Sequence, residues 1–113
     1  MPFPLLCVSA IPDRETVRVL VVGEIDVSTA HLLGDQLAEL LESGWREVVA
    51  DLREVSFMDT SGLHVLLDAH ERAGQVDAVL SVAVEPGPVR RLLELTGAGR
   101  ILSVVEPAAW ALG

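Results

Sequence analysis

From Gly23 onward, short runs of β-branched and aliphatic residues alternate with segments whose apolar residues recur at three- and four-residue steps. That alternation constrains the fold more than any other feature. It calls for a largely parallel sheet whose strands are joined by right-handed helical crossovers. Val48 to Leu52 reads as a strand covered on both faces, and Ala78 to Val84 and Ile101 to Val105 as two more. Between them, Ala30, Leu33, Leu37, Leu40 and Leu41 share one face of a helix of about four turns. Ser28 or Thr29 is its expected N-cap, and Gly44 stands where a left-handed residue ends a helix. A second helix is expected over Leu63 to Ala73, stopped by Gly74. A third is expected over Val89 to Thr96, opened by Pro88 and closed by Gly97. Pro107 to Leu112 has room only for a short terminal helix.

Ahead of Gly23 the pattern changes. Leu5 to Ala10 and Thr16 to Val22 are two strand-like runs joined by the polar turn Ile11 to Glu15, so they are expected to pair antiparallel. Pro2 and Pro4 suit an edge position, since proline cannot donate to a ladder. The expected fold is α/β, in the order β-β-α-β-α-β-α-β-(α). It has a mixed, mostly parallel sheet of about five strands, an antiparallel N-terminal edge strand, and helices packed on it. At 113 residues, half of them apolar, the chain is expected to form one domain over residues 1–113.

Charge and composition remove several classes of function. Seventeen acidic residues face eight basic ones, for a net charge of −9, and the basic residues are all arginine. An acidic surface without a basic stripe repels phosphate backbones, so no direct nucleic-acid contact is expected. The apolar runs fall far short of the ~20 residues that cross a bilayer, which argues against membrane insertion. The single cysteine, Cys7, allows no disulfide within the chain and fits a reducing cytoplasm, the expected location. A phosphate-binding loop would need a lysine, and the chain has none, so nucleotide binding through that motif is not expected, and no cofactor is called for. His64 and Asp68 share a helix face but have no evident third ligand, so no metal is expected either. Trp45 and Trp110 are isolated and read as packing residues.

One stretch carries possible chemistry. In Val55-Ser56-Phe57-Met58-Asp59-Thr60-Ser61-Gly62 a strand runs into the start of a helix marked by Leu63, Leu66, Leu67 and His70. Phe57 and Met58 are expected to be buried. Asp59, Thr60 and Ser61 are all good N-caps and lie at the positive end of the helix dipole. One side chain is enough to cap, so two are left pointing outward. The residues alone leave open whether these hydroxyls only cap or are also modified or catalytic. A nucleophile would need a base from His31, His64 or His70. His64 and His70 project alongside or away from the helix start, and His31 could approach from a neighbouring loop. None belongs to a Gly-x-Ser-x-Gly elbow, so all three read as surface residues. The Gly23 to Thr29 and Val55 to Gly62 segments should emerge together beyond the carboxyl ends of the strands, where sites in such sheets gather.

Gly23-Glu24-Ile25-Asp26 after a strand, Val55 to Leu63 at the junction, and Val89-Arg90-Arg91-Leu92-Leu93-Glu94-Leu95-Thr96-Gly97 in the third helix together resemble the STAS domains. More narrowly, the chain resembles the stand-alone bacterial anti-sigma factor antagonists of sporulation and the general stress response. The resemblance implies a protein that is not an enzyme but the substrate of a protein serine/threonine kinase. Unphosphorylated, it would bind an anti-sigma factor that is also the kinase and so free a sigma factor. Phosphorylation would end that binding, and a phosphatase would restore it. Thr60 matches the acceptor, where most well-known members carry serine, and Ser61 matches the second hydroxyl. The implied partner-binding residues are Asp26, Asp59, Thr60, Ser61 and Gly62. Two alternatives stand beside this one: an unphosphorylated STAS scaffold subunit of a transport or sensory complex, and a small enzyme using Thr60 or Ser61 as nucleophile.

Overall fold

In the segment Thr16–Ile25, Val17, Val19, Val21 and Ile25 are sealed from solvent while Arg18, Leu20, Val22 and Glu24 are not. A two-residue period of this kind defines a strand with one face on the core. The computed structural model describes residues 5–105. Within them lie β1 (Leu6–Asp13), β2 (Thr16–Ile25), α1 (Ala30–Glu42), β3 (Glu47–Met58), α2 (Thr60–Gln75), β4 (Val79–Ala83), α3 (Pro88–Thr96), a single 3-10 turn at Ala98–Arg100, and β5 (Ser103–Val105). The sequence-based expectations for Pro2, Pro4, Trp110 and a helix over Pro107 to Leu112 lie outside the described residues.

The strands lie side by side in the order β1-β2-β3-β4-β5, with β1 antiparallel to β2 and every other pair parallel. This is the expected mixed sheet with its antiparallel edge. Each parallel crossover steps to the next strand in the same direction, so right-handed connections put α1, α2 and α3 on one side of the sheet. The core lies there, with Leu33 and Leu37 of α1, Leu66 of α2 and Leu93 of α3 in one cluster with Val17, Val19, Val21, Val48, Ala50, Leu80 and Val82. Trp45 packs against its margin as expected.

The structure departs from the sequence reading in several places, among them β2, which runs on past Val22 to Ile25. β1 continues to Asp13, so the hairpin turn is only Arg14-Glu15, with Arg14 at a φ of 61°. Pro12 is tolerated in β1 because that strand is at the edge of the sheet. β3 runs unbroken to Met58, with register shifts against β2 between Leu20 and Val22 and between Gly23 and Glu24. These irregularities place the buried side chains Leu52, Val55 and Met58 three residues apart instead of two, which hides the strand from a period-two reading. α2 begins at Thr60 and passes through Gly74 to Gln75, since a glycine inside an exposed helix turn costs only about 1 kcal/mol. Finally, among the described residues helices cover only one face of β3. Val48, Ala50 and Leu52 are buried on the helix side, and Val49 on the other side is half-buried.

Asp51, on that second side, is completely sealed. Arg53 grips it in a fork, Nε donating to Oδ1 at 2.9 Å and Nη2 to Oδ2 at 3.0 Å, and Arg18 Nη1 donates to Oδ2 at 3.1 Å. Burial by itself would raise the carboxyl pKa, but hydrogen bonds from Arg53, and then from Arg18, outweigh it and hold the group below its ordinary value. A folded-state pKa below the unfolded one stabilises the fold at neutral pH. That contribution is lost as pH falls below the ordinary carboxylate value and through the folded one.

Arg53→Met is therefore expected to cost about 1.5–3 kcal/mol at pH 7, since the buried carboxylate loses its forked hydrogen bonds and keeps Arg18. Urea unfolding measures it, and the difference from wild type should shrink as pH is lowered through the carboxylate range.

Candidate functional site

β2 and β3 end together, with Ile25 opposite Met58. The next amide, Asp59 N–H, donates to the Ile25 carbonyl at 3.1 Å, so the two loops leaving the sheet are bonded to each other at their roots. Asp59 is extended and serves as the N-cap of α2, its Oδ1 accepting from Ser61 N–H at 2.8 Å. The cap is thus the aspartate and not Ser61, because only the residue still in strand conformation can turn its side chain back over the first helical amides. Thr60, the first helical residue, is exposed, and its hydroxyl makes no hydrogen bond among the described residues. Ser61 is half-buried and Gly62 buried.

Gly62 lets the start of α2 press onto the strand ends. A Cβ there would lie 2.6 Å from Met58 Cγ and 2.8 Å from Ile25 Cγ2, too close for either to stay where it is. Gly62 therefore contributes close approach, with no side chain of its own to offer a partner. Phe57 corrects the expectation of a buried apolar pair: Met58 is buried, but Phe57 is 48% exposed. It pairs with Glu24 on the side of the sheet away from the helices.

The other loop, Asp26 to Thr29, is closed by its own polar groups. Asp26 Oδ1 accepts from Ser28 N–H at 2.9 Å, Ser28 Oγ at 2.6 Å and Thr29 N–H at 3.2 Å. Thr29 Oγ1 donates to the Glu24 carbonyl at 2.9 Å and accepts from Asp26 N–H at 2.9 Å. Thr29 stands at the N-cap position of α1 but makes no side-chain cap bond, because its hydroxyl is committed to the loop. The Ser28 hydroxyl and amide, with Thr29 assisting, hold the Asp26 carboxyl below its ordinary pKa. The Asp-x-Ser-Thr run carries a sequence signal for such a turn.

The structure thus brings Asp26, Asp59, Thr60 and Ser61 to one end of the sheet. The histidines are elsewhere. His31 is exposed and borders a shallow depression between α1 and α2 with Gly34, Asp35, Val65 and Asp68, while His64 is exposed on α2. His70 lies half-buried farther along α2. None of the three hydrogen-bonds to Thr60 or Ser61 among the described residues. Nor do those residues contain a group of three or more side chains that could hold a metal, or a helix long and apolar enough to cross a membrane.

A sheet of this order with hydroxyls at the β3–α2 junction has known counterparts. The family model described as "Mlab, STAS domain" matches residues 11–106. The anti-sigma-B factor antagonist of Staphylococcus aureus is 32% identical over 89 residues, covering 79% of this chain and 82% of the relative. The anti-sigma F factor antagonist of Paenibacillus polymyxa is 30% identical over 100 residues, covering 88% and 86%. Among solved structures, an anti-sigma factor antagonist from Mycobacterium paratuberculosis superposes with a TM-score of 0.82 at 25% identity, covering 90% of this chain and 86% of that one. Unphosphorylated SpoIIAA does so with 0.75 at 19%, covering 91% of each chain, which speaks to the fold alone. The chain belongs to the STAS domain family, and within it to the anti-sigma factor antagonists.

Packing and exposure at the junction lead to opposite mutational outcomes two residues apart. Gly62→Ala is expected to lose about 1–3 kcal/mol of stability by overpacking against Met58 and Ile25. Thr60→Ala is expected to stay within about 0.5 kcal/mol of wild type in the same thermal or urea unfolding measurement.

Proposed function

We propose that this chain is a partner-switching antagonist that binds an anti-sigma factor and is released when Thr60 is phosphorylated. The observation that carries the reading is the placement of Thr60. It is an exposed hydroxyl at the first position of α2, fixed by the Asp59 cap and beside the loop that Asp26 holds closed. Ser61, half-buried one residue later, is the second choice as acceptor. In this reading the hydroxyl is a substrate for another protein's chemistry, and its exposure leaves it open to that protein. The names of the curated relatives support an antagonist role, and SpoIIAA, which shares the fold, is known in a phosphorylated form.

The energetics suit a switch. A phosphate adds about −1.5 to −2 charge and three acceptor oxygens. At a helix N-terminus it gains about 0.3–1 kcal/mol within the domain. Asp59 opposes by a similar amount, since unit charges ~6 Å apart repel by about 0.7 kcal/mol at the dielectric of water. Folding is left nearly unchanged. An interface that must desolvate the phosphate without pairing it loses about 2–5 kcal/mol. Three kcal/mol is a factor of roughly 150 in affinity.

In this account the partners are an anti-sigma factor with kinase activity and a phosphatase acting on the phosphorylated form, all in the cytoplasm. The chain itself touches neither nucleic acid nor membrane. Asp26 and Asp59 contribute by shaping the surface that carries Thr60.

Incubation with ATP and the cognate anti-sigma kinase, followed by peptide mass mapping, tests the assignment. Wild type should gain one phosphate on Thr60. Thr60→Ala should accept none yet bind the kinase as wild type does, and Thr60→Glu should bind it more than about tenfold more weakly. Transfer to Thr60→Ala at the wild-type rate would place the acceptor elsewhere. An unphosphorylated scaffold subunit would take up no phosphate in either form.

A further inference from the structure

The two edges of the sheet are unequal. β5 offers three residues and β1 offers eight, and among the described residues no strand lies outside β1. From Leu5 to Ile11 this edge carries no charge, and all of it but Leu6 and Val8 is exposed. Sheets usually guard so long an edge with charged side chains or proline, and here the first such residue is Pro12. The hairpin sets which backbone groups face outward. Glu24 N–H donates to the Leu5 carbonyl at 2.8 Å, and the register with β2 runs unbroken from Leu6 opposite Gly23 to Asp13 opposite Thr16. Leu5, Cys7, Ser9, Ile11 and Asp13 therefore turn their N–H and C=O groups to β2, and Leu6, Val8 and Ala10 turn theirs away from it. Pro12 falls in the outward set, where its missing N–H takes nothing from the hairpin.

We propose that β1 is a self-association edge, on which β1 of a second copy pairs antiparallel about a two-fold axis at Val8. The edge itself selects this register. With Val8 opposite Val8 of the second copy, Leu6 meets Ala10, and each of these pairs exchanges two hydrogen bonds, so every outward N–H from Leu6 to Ala10 is used. Sliding the pairing toward the turn by two residues sets Pro12 opposite Val8, and the Val8 carbonyl then lacks a donor in both copies. Side chains agree with the backbone. Leu6 lies in the core and Val8 packs against it, so Leu5, Cys7, Ser9 and Ile11 project on the other side of the sheet. There the same register sets Leu5 opposite Ile11, 54% and 37% exposed, and each covers the other at the closely spaced positions without hydrogen bonds. A chain of net charge −9 repels its own copies, and an uncharged edge is where two of them meet without opposing carboxylates. The two-fold axis reverses the second sheet, so the two Thr60 junctions lie at opposite ends of one continuous sheet. The pairing is independent of the antagonist reading.

Cys7 makes the register measurable. In this pairing it lies opposite Ser9 of the second copy at a Cα separation of about 4.5 Å, within reach of a disulfide. The two copies of Cys7 are diagonal neighbours about 7–8 Å apart, beyond that reach. The experiment mixes the wild-type chain with the double variant Cys7→Ser, Ser9→Cys under mild oxidation, and reads covalent dimer by non-reducing electrophoresis. Sedimentation equilibrium of wild type and of Ala10→Pro, up to about 1 mM, reads association, with the thermal midpoint of each as the control for folding. The mixture should give a disulfide-linked dimer that neither chain gives alone. Wild type should pass from monomer to dimer within that range. Ala10→Pro, whose lost N–H belongs to no bond with β2, should need at least about tenfold more protein to do so at a nearly unchanged midpoint. Wild type that stayed monomeric throughout, or Ala10→Pro that dimerised at wild-type concentrations, would overturn the proposal. So would covalent dimer forming as readily from either chain alone as from the mixture, a result that does not depend on how Ala10→Pro folds.

Discussion

The hydrogen bond from Asp59 N–H to the Ile25 carbonyl fixes where β3 stops and α2 starts, and it does so against the end of β2. Everything at the candidate site is referred to that point. Asp59, held in strand conformation, can turn its carboxylate onto Ser61 N–H, and the cap then sets the first helical turn. Gly62 allows that turn to rest on Met58 and Ile25, which belong to the core. Thr60 is left outward as the residue between the cap and the contact. Its exposure is therefore a consequence of packing on either side.

Among the described residues, the carboxylates of Asp51 and Asp26 are engaged by neighbours and held below their ordinary pKa, with different results. Asp51 is sealed and neutralised by Arg53 and Arg18, and it ties the central strand to its neighbour on the side away from the helices. Asp26 is bonded by the hydroxyl and amides of its own loop, and keeps its charge at the site end of the sheet. The first arrangement serves the fold. The second leaves an acidic, closely tied surface around a hydroxyl, so a further dianionic group there is felt by a docking partner far more than by the domain itself.

Much of this was legible from residues. The alternation after Gly23 carried the parallel sheet, and the short connection before Thr16 carried the antiparallel edge. The Asp59-Thr60-Ser61-Gly62 run marked the junction and the loop that meets it. Other features were hidden for physical reasons. The register shifts between β2 and β3 moved the core positions of β3 from every second to every third residue, so Val48 to Leu52 and the strand end at Val55 to Met58 did not read as one continuous strand, and Phe57 was expected inside. Asp51 lay in an apolar run, and nothing local shows that Arg18, on another strand, completes its partners. The commitment of Thr29 to its loop depends on bonds among residues that sequence periodicity does not report.

The central claim is that one phosphate on Thr60 changes binding and leaves folding unchanged. It is tested most directly by measuring the affinity of the cognate anti-sigma kinase for the unphosphorylated chain and for the chain fully phosphorylated at Thr60, with thermal unfolding of both. The account predicts a loss of affinity of roughly a hundredfold with nearly coincident unfolding curves. Equal affinities, or a loss of affinity that tracks a loss of folded protein, would contradict it.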